Sequence, residues 1–385
     1  MNFGKYEIDD APIRKLRRCS RCVLPETMPF IEFDGDGVCN YCRTYRKREY
    51  VGEEAVRRMA DSLRRTGGEC DSLVSFSGGR DSSYGLHYFV RELGLHPLAF
   101  SYDWGMVTDL AIRNQRRMCE RLGVKLVTVT ADLAVKRCNI RKNILAWLKR
   151  PDLGLVPLFM AGDKHYFYHA NRVCRENGLK TILMAANPFE ETHFKSGFCG
   201  VRPKVLRTAE SAGAFERLPL ASVSRMAAHY AWQFLRNPAY LNSSLWDTAT
   251  AALSYYVVPH DYFRLFNYIP WDEAVVDRTL IDEYGWETSP ETKSTWRIGD
   301  GTSPFYNYIY YRLAGFTEND TLRSNQIREG MLTREEALAL VYRDNQPRFD
   351  GLKWYFDVVG LDMERVLDRI CEFPRLHEQG AIQRR

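Results

Sequence analysis

The sequence has no apolar run approaching the roughly 20 residues that a membrane-spanning helix requires, and it has no internal repeat or low-complexity tract. Its first residues lack a basic stretch followed by an apolar one, so no secretory signal is read and a cytoplasmic protein is expected. A strong charge of one sign is also missing. The 54 Lys and Arg are mixed with 49 Asp and Glu, and the resulting +5 is too weak and dispersed to argue for nucleic acid. An anionic small substrate suits that balance equally well. Local runs such as Arg14 to Arg18 and Arg43 to Arg48 read as solvated faces. The 385 residues suffice for an α/β domain plus a large addition, and 45% apolar residues supply a sizeable core.

Ten cysteines in a chain read as intracellular do not suggest a disulfide framework, but four of them have metal spacing. Cys19-Ser-Arg-Cys22 and Cys39-Asn-Tyr-Cys42 are two Cys-x2-Cys knuckles separated by Phe30 to Val38, whose Asp-Gly pairs signal a hairpin. Two such knuckles can close a tetrahedral site of four thiolates around Zn²⁺. Four protein ligands leave no open position, so the metal is expected to be structural, held by Cys19, Cys22, Cys39 and Cys42. The remaining cysteines show no metal spacing and read mostly as small core residues.

The chain has no Walker A loop. Instead, Ser77-Gly78-Gly79-Arg80-Asp81-Ser82 follows the apolar run Leu73 to Phe76 and precedes a helix-like stretch from Tyr84 to Leu93. The strand delivers the loop, two glycines let backbone N–H groups approach a polyanion, and the next helix turns its positive end to the same place. The pattern Ser-Gly-Gly-x-Asp-Ser resembles the PP-loop of the ATP pyrophosphatases, which bind the pyrophosphate part of ATP while AMP is transferred to a substrate oxygen. The resemblance implies that Ser77, Gly78, Gly79 and Ser82 hold phosphate oxygens and that Asp81 helps place Mg²⁺. It also implies that Arg80 neutralises the departing pyrophosphate.

Beyond residue 71 strands alternate with helices. Strand-like runs at Leu73 to Phe76, Pro97 to Tyr102, Val124 to Val129 and Thr181 to Ala185 are separated by helical stretches at Thr108 to Leu122, Leu133 to Lys149 and from Pro157 through Asn177. This order predicts a parallel, doubly wound α/β sheet of PP-loop (HUP-like) type, with an N-terminal zinc ribbon and a mainly helical C-terminal region. Ligands of such sheets sit beyond the strands' carboxyl ends. Ser101, Asp103 and Asn187 therefore join the PP-loop as candidate nucleotide-binding residues. The expected units are 1–50, 51–203 and 204–385. Helical spacing marks Leu220 to Leu235, Ser244 to Val257 and Asp272 to Tyr284, and the irregular Trp286 to Pro304 stretch reads as a polar lid carrying Lys293, Arg297 and Asp300.

The knuckle sequences Arg-Cys-Val-Leu-Pro-Glu-Thr and Phe-Asp-Gly-Asp-Gly-Val-Cys-Asn-Tyr-Cys, the PP-loop, and the late Arg-Ser-Asn-Gln-Ile-Arg-Glu-Gly-Met-Leu-Thr-Arg-Glu-Glu-Ala-Leu are together similar to the N-acetyl sugar amidotransferase family. That family belongs to surface-polysaccharide (lipopolysaccharide) biosynthesis. One departure is Pro157 to Lys164, where many members carry a Cys-x2-Cys segment. The resemblance implies that ATP adenylates a carbonyl oxygen of an N-acetyl or carboxamido sugar, nucleotide-linked, for displacement by ammonia from a glutaminase partner. A homodimer is compatible with this reading. Asp81, Lys164, Lys195 and Lys293 are the candidate catalytic groups, the lysines as contacts to the α-phosphate or pyrophosphate. Two other readings stay open. One is a sulfur transferase making a thioamide or thionucleoside, with Cys199 as persulfide carrier. The other is a non-catalytic zinc-ribbon adaptor.

Overall fold

The computed structural model describes residues 3–64, 69–190, 192–203 and 219–378. Five parallel strands form one sheet: β1 (Leu73–Ser75), β2 (Leu98–Asp103), β3 (Leu126–Thr130), β4 (Ile182–Met184) and β5 (Phe263–Arg264), in the order β3-β2-β1-β4-β5. Leu73 lies opposite Leu98 on one side and Ile182 on the other. Because side chains alternate along a strand, Leu73, Leu98, Phe100 and Ile182 enter one core cluster while Val74, Phe76, Ala99 and Leu183 enter a second. Both faces are therefore buried, which explains why these strands read as continuous apolar runs.

The second cluster is covered by helices α1 (Arg80–His87) and α2 (Asp109–Leu122), through Leu86 and Met118. The first is covered by α3 (Leu133–Lys149) and α4 (Tyr166–Glu176), through Ile140, Ile144, Ala170 and Val173. The sheet is thus doubly wound, as the alternation predicted. After β3 the chain crosses to the far side of β1, so the strand order reverses between β1 and β4. That is where an open α/β sheet places its ligand crevice.

Several element boundaries differ from the sequence expectation. The helix after the PP-loop begins at Arg80 rather than Tyr84, and it ends in a π-helical turn, Tyr88–Glu92. No long helix starts at Pro157: a 3₁₀ segment, Leu153–His165, precedes α4, since Pro157 has no N–H to donate to an α-helical ladder. Strand β5 was not foreseen. It consists of two residues, too short for a periodic pattern, and it brings the chain beyond residue 204 into the sheet. The expected boundary at 203/204 adjoins residues 204–218, which lie outside the described residues.

The C-terminal region is helical, and its central element is α5 (Glu318–Glu329). Thr317 and Asp320 close a capping box at its start, the Thr317 N–H donating to the Asp320 carboxylate at 2.9 Å. Unlike a surface helix, α5 is buried on all sides although it is mostly polar: Glu318, Asp320, Arg323, Ser324, Asn325, Gln326 and Arg328 are all buried. Such a helix is held by pairing its side chains with its surroundings rather than by an apolar stripe. Arg18 from the N-terminal module pairs with Asp320 at 2.7 Å, and Arg334 donates to the Cys19 and Cys22 carbonyls at 3.0 and 3.1 Å.

Candidate active site and cysteine centre

The Cys19, Cys22, Cys39 and Cys42 sulfurs all lie within 4.8 Å of one another and are buried. The Cys19–Cys42 and Cys22–Cys39 separations are 3.9 and 3.8 Å. Tetrahedral zinc with Zn–S bonds of about 2.3 Å requires sulfurs about 3.8 Å apart, so the donor set fits a closed, structural four-thiolate site. The intervening turn explains how the knuckles meet: Asp34 Oδ1 accepts from the Asp36 and Val38 amides, and Phe33 bridges Cys39 antiparallel. Backbone N–H groups of Arg21, Cys22 and Cys39 point at the Cys19 sulfur, at 3.4, 3.4 and 3.2 Å, an arrangement that favours thiolate over thiol.

The Ser77–Ser82 loop leaves the end of β1 and enters α1. Ser77 and Ser82 join through their hydroxyls at 3.0 Å, and the helix N-terminus is capped by Gly79 without any side-chain bond. The first N–H groups of α1 are therefore left to face whatever lies at the mouth of the loop. Gly78 has φ +77°, and a Cβ there would lie 2.4 Å from the Ala111 carbonyl oxygen and 2.7 Å from Gln115 Cγ, so only glycine lets the loop pack against α2. Ser101 lies beneath the loop. It is buried and accepts from Gln115 Nε2 at 2.8 Å, which makes it a support for the cradle.

Arg80 departs from expectation. Its guanidinium is buried below the loop, donating to Glu273 Oε1 at 2.9 Å and Thr295 Oγ1 at 3.0 Å and lying over the Trp271 ring. Already within the helix, its side chain falls onto the inner face of α1, so it anchors the loop rather than facing a leaving group. Asp81 Oδ1 accepts from Trp271 Nε1 at 2.7 Å and Arg80 Nε at 3.3 Å, and Oδ2 takes neither bond. Asp103 accepts from the Gly105 amide at 2.9 Å. Across the reversal, Asn187 follows β4; it is buried, its Oδ1 accepts from the Phe189 amide, and its Nδ2 is a buried donor without a partner among the described residues. An orphaned amide beside the switch point is suited to a ligand oxygen.

The Trp286 to Pro304 segment, expected as a lid, packs as a wall beside the PP-loop. Trp286, Ser294, Thr295, Trp296, Ile298 and Thr302 are buried, and the Thr108 and Gly301 amides donate to the Gly299 and Met106 carbonyls. The segment abuts the PP-loop: a Cβ on Gly299 would sit 3.0 Å from Ala111 Cβ and 3.9 Å from Gly79 Cα. Lys293 is exposed, and the cation that this segment delivers inward is Arg297, in left-handed backbone at φ +52°.

Arg297 belongs to a cluster whose cations, Arg297 and Lys195, the sequence marked but whose centre, Glu318, it did not. Its guanidinium pairs with Glu318 Oε2 at 2.9 Å and Glu190 Oε2 at 3.3 Å, while Lys195 pairs with Glu318 Oε1 at 2.5 Å and lies 4.1 Å above the Tyr306 ring. Tyr306 donates to Glu318 at 2.8 Å, and Trp296 donates to Glu190. Burial alone would raise the Glu318 carboxyl, but Arg297 and Lys195 hold it below the ordinary range. Glu190 goes the other way: burial, aided by the Asp81 charge, lifts it to about 7 against the pull of Arg297. Lys164 pairs with Asp163 at 3.1 Å. Burial depresses its ammonium, and Asp163 more than restores it. Of the three expected lysines, Lys195 is thus embedded beside Arg297, Lys164 is half-exposed with the Arg297 charge opposing its own, and Lys293 is exposed. The signal for Glu318 and its helix was available in Arg323-Ser-Asn-Gln, a helical stretch polar on every face.

Fold and loop together define an open, doubly wound parallel α/β sheet with a Gly-rich loop at its strand-order reversal. No family model matches the chain. An uncharacterized protein of Methanocaldococcus jannaschii is 26% identical over 192 residues, covering 45% of this chain and 69% of that protein. Among solved structures, NMN synthetase from Francisella tularensis aligns with 47% of this chain and 91% of its own, at 10% identity and a TM-score of 0.26. That likeness is too weak to carry an argument, and the fold assignment rests on strand order and the loop itself. Among the described residues no helix is long and apolar enough to cross a membrane.

Proposed function

We propose that the protein is an ATP-dependent amidotransferase that forms AMP and pyrophosphate. The observation that carries this reading is the Ser77–Ser82 cradle at the β1/β4 reversal, with the α1 N-terminus left without a side-chain cap behind it. The acceptor is a sugar bearing an N-acetyl or carboxamido group, nucleotide-linked, of the kind used for surface polysaccharides. Its carbonyl oxygen attacks the α-phosphorus of ATP and pyrophosphate leaves. Ammonia from a glutaminase partner then adds to the activated carbon, and AMP departs with the former carbonyl oxygen. An amide oxygen leaves poorly by itself, so this activation is what ammonia attack needs.

In this reading the loop amides and the Ser82 hydroxyl hold the β- and γ-phosphates, and the Oδ2 of Asp81, which accepts from neither Trp271 nor Arg80, suits a phosphate-bound Mg²⁺, which would neutralise charge there. Lys195 and Arg297, fixed by Glu318, offer positive charge toward the α-phosphate, with Lys164 nearby. Glu190, poised near neutrality, suits a proton acceptor for the incoming amine. Zn²⁺ fits the four cysteines in a structural role. The sulfur-transfer reading finds little support at Cys199, a buried thiol that donates to the Gly154 carbonyl and is pushed up by burial to about 12.

The test is incubation with Mg²⁺-ATP, ammonium and a panel of acetamido and carboxamido nucleotide sugars, with the acceptor carbonyl labelled with ¹⁸O. Label in AMP with equimolar pyrophosphate is the expected result. ADP and phosphate as the sole products would refute the reaction, and no turnover with an intact fold would favour the adaptor reading.

A further inference from the structure

Arg328 has a role that the activation chemistry does not use. It is buried, and its guanidinium donates to the Cys42 sulfur from Nε at 3.3 Å and to the Cys22 sulfur at 3.4 Å. A third bond runs to Asn325 Oδ1 at 2.7 Å, and Asn325 in turn donates from Nδ2 to the Phe189 carbonyl at 3.0 Å. Phe189 lies between Asn187 and Glu190 in the loop after β4. A continuous chain of hydrogen bonds therefore joins the cysteine centre to the crevice.

The charges explain the arginine. Four thiolates around a divalent metal leave a net charge of about −2, here buried beneath the N-terminal module, where an unpaired charge is costly. A guanidinium offers several donors in one plane and satisfies two sulfurs and an amide together, which a lysine cannot reproduce. Against four neutral thiols the same guanidinium would be an almost unpaired buried cation. The metal-loaded and metal-free states thus place opposite demands on Arg328.

Asp320 and Glu329 also face the N-terminal module, through Arg18, Tyr45 and the Arg48 amide, whereas two other charged groups of α5 face elsewhere. Arg323 pairs with Glu273 at 2.5 Å, the residue that also holds Arg80 under the PP-loop, and Glu318 holds Lys195 and Arg297. Residues 318, 323 and 328 are spaced by five, so successive side chains turn by about 140° around the axis over a total rise of about 15 Å. One buried helix therefore addresses three surroundings.

We propose that Arg328 is the charge partner of the metal-loaded four-thiolate centre, and that through Asn325 metal loading holds the Asn187–Glu190 loop in place. Arg328 is on this account a positioning residue, and the cysteine centre sets the order of the crevice as well as folding the N-terminal module. The proposal concerns the metal and the loop only, so its tests do not depend on the amidotransferase reading.

The first test is chelator-driven zinc release from the full-length protein, followed with a zinc-binding dye. Removal of a metal site's outer hydrogen-bond partner typically costs 10–100-fold in affinity, so Arg328→Met should release zinc at least about ten-fold faster, with Arg328→Lys in between. Release from both variants within about two-fold of the parent would overturn the charge-partner role. Should Arg328→Met fail to fold, the Arg328→Lys rate decides. The second test is amide hydrogen exchange. In the parent, zinc removal should raise exchange across Asn187–Glu190. Asn325→Ala should do the same with zinc still bound and released at the parental rate. Unchanged exchange in either case would overturn the coupling, as would a purified protein that binds no zinc yet protects this loop.

Discussion

Replacing Glu318 by Gln tests the centre of the crevice. The substitution keeps shape and one acceptor oxygen but removes the charge that holds two buried cations, Lys195 at 2.5 Å and Arg297 at 2.9 Å. Breaking a buried pair from one side costs about 3–5 kcal/mol, because the remaining charge is left uncompensated. Here the Lys195 and Arg297 side chains keep 12% and 26% exposure, so water screens part of that cost and about 2–3 kcal/mol is expected. The assay is urea unfolding near pH 7.5, with Lys195→Met and the double variant completing a cycle. The double variant should be less destabilised than the sum of the singles by about 1–2 kcal/mol, since removing Lys195 removes one of the stranded charges. The pH dependence has a definite sign. A carboxyl whose folded pKa lies below its unfolded value adds stability above that unfolded value and loses it as pH falls through the folded one. The difference between the parent and Glu318→Gln should therefore be full at neutral pH and shrink below about pH 4. A Glu318→Gln protein within about 0.5 kcal/mol of the parent, or strict additivity in the cycle, would sink the argument.

Glu190→Gln should behave oppositely. With its folded-state carboxyl at about 7, Glu190 holds a proton that the unfolded chain releases, so its contribution falls as pH rises from about 4.5 to 7. The variant should lose that slope, gaining up to about 3 kcal/mol on the parent across the window in unfolding measured at several pH values; parallel profiles would count against it. Gly78→Ala forces a left-handed alanine, at about 1–2 kcal/mol, and drives its Cβ into the Ala111 carbonyl at 2.4 Å. A loss of at least about 3 kcal/mol or a displaced loop unable to retain ATP is expected, and a normal melt with normal ATP binding would contradict the close approach. Elemental analysis should find about one zinc per chain, reduced in Cys39→Ser together with the stability of the N-terminal module; a metal-free parent, fully folded, would end the structural-zinc assignment.

Features that rest on local pattern were legible in the sequence. The helix Leu133–Lys149 spans the residues its periodicity marks, the Cys-x2-Cys pairs meet, and the alternation of apolar runs with helices gives the parallel sheet. Even the wall at Trp286 to Pro304 was marked by its composition, although its burial was not. What failed was direction. Arg80 was expected to face phosphate and faces Glu273, because a side chain's heading depends on where its helix begins, and boundaries are the least legible part of a pattern.

The sequence by itself determined the loop that can cradle a polyanion, the four-thiolate spacing and the winding of the sheet, because each depends on residues close together in the chain. Tertiary structure alone decided which charges meet. Glu318 lies 123 residues from Lys195, and Arg328 lies 286 residues from Cys42. Pairings over such separations leave no periodic trace. They are selected only when helix α5 is buried whole and each of its polar groups must find a partner or pay the cost of desolvation.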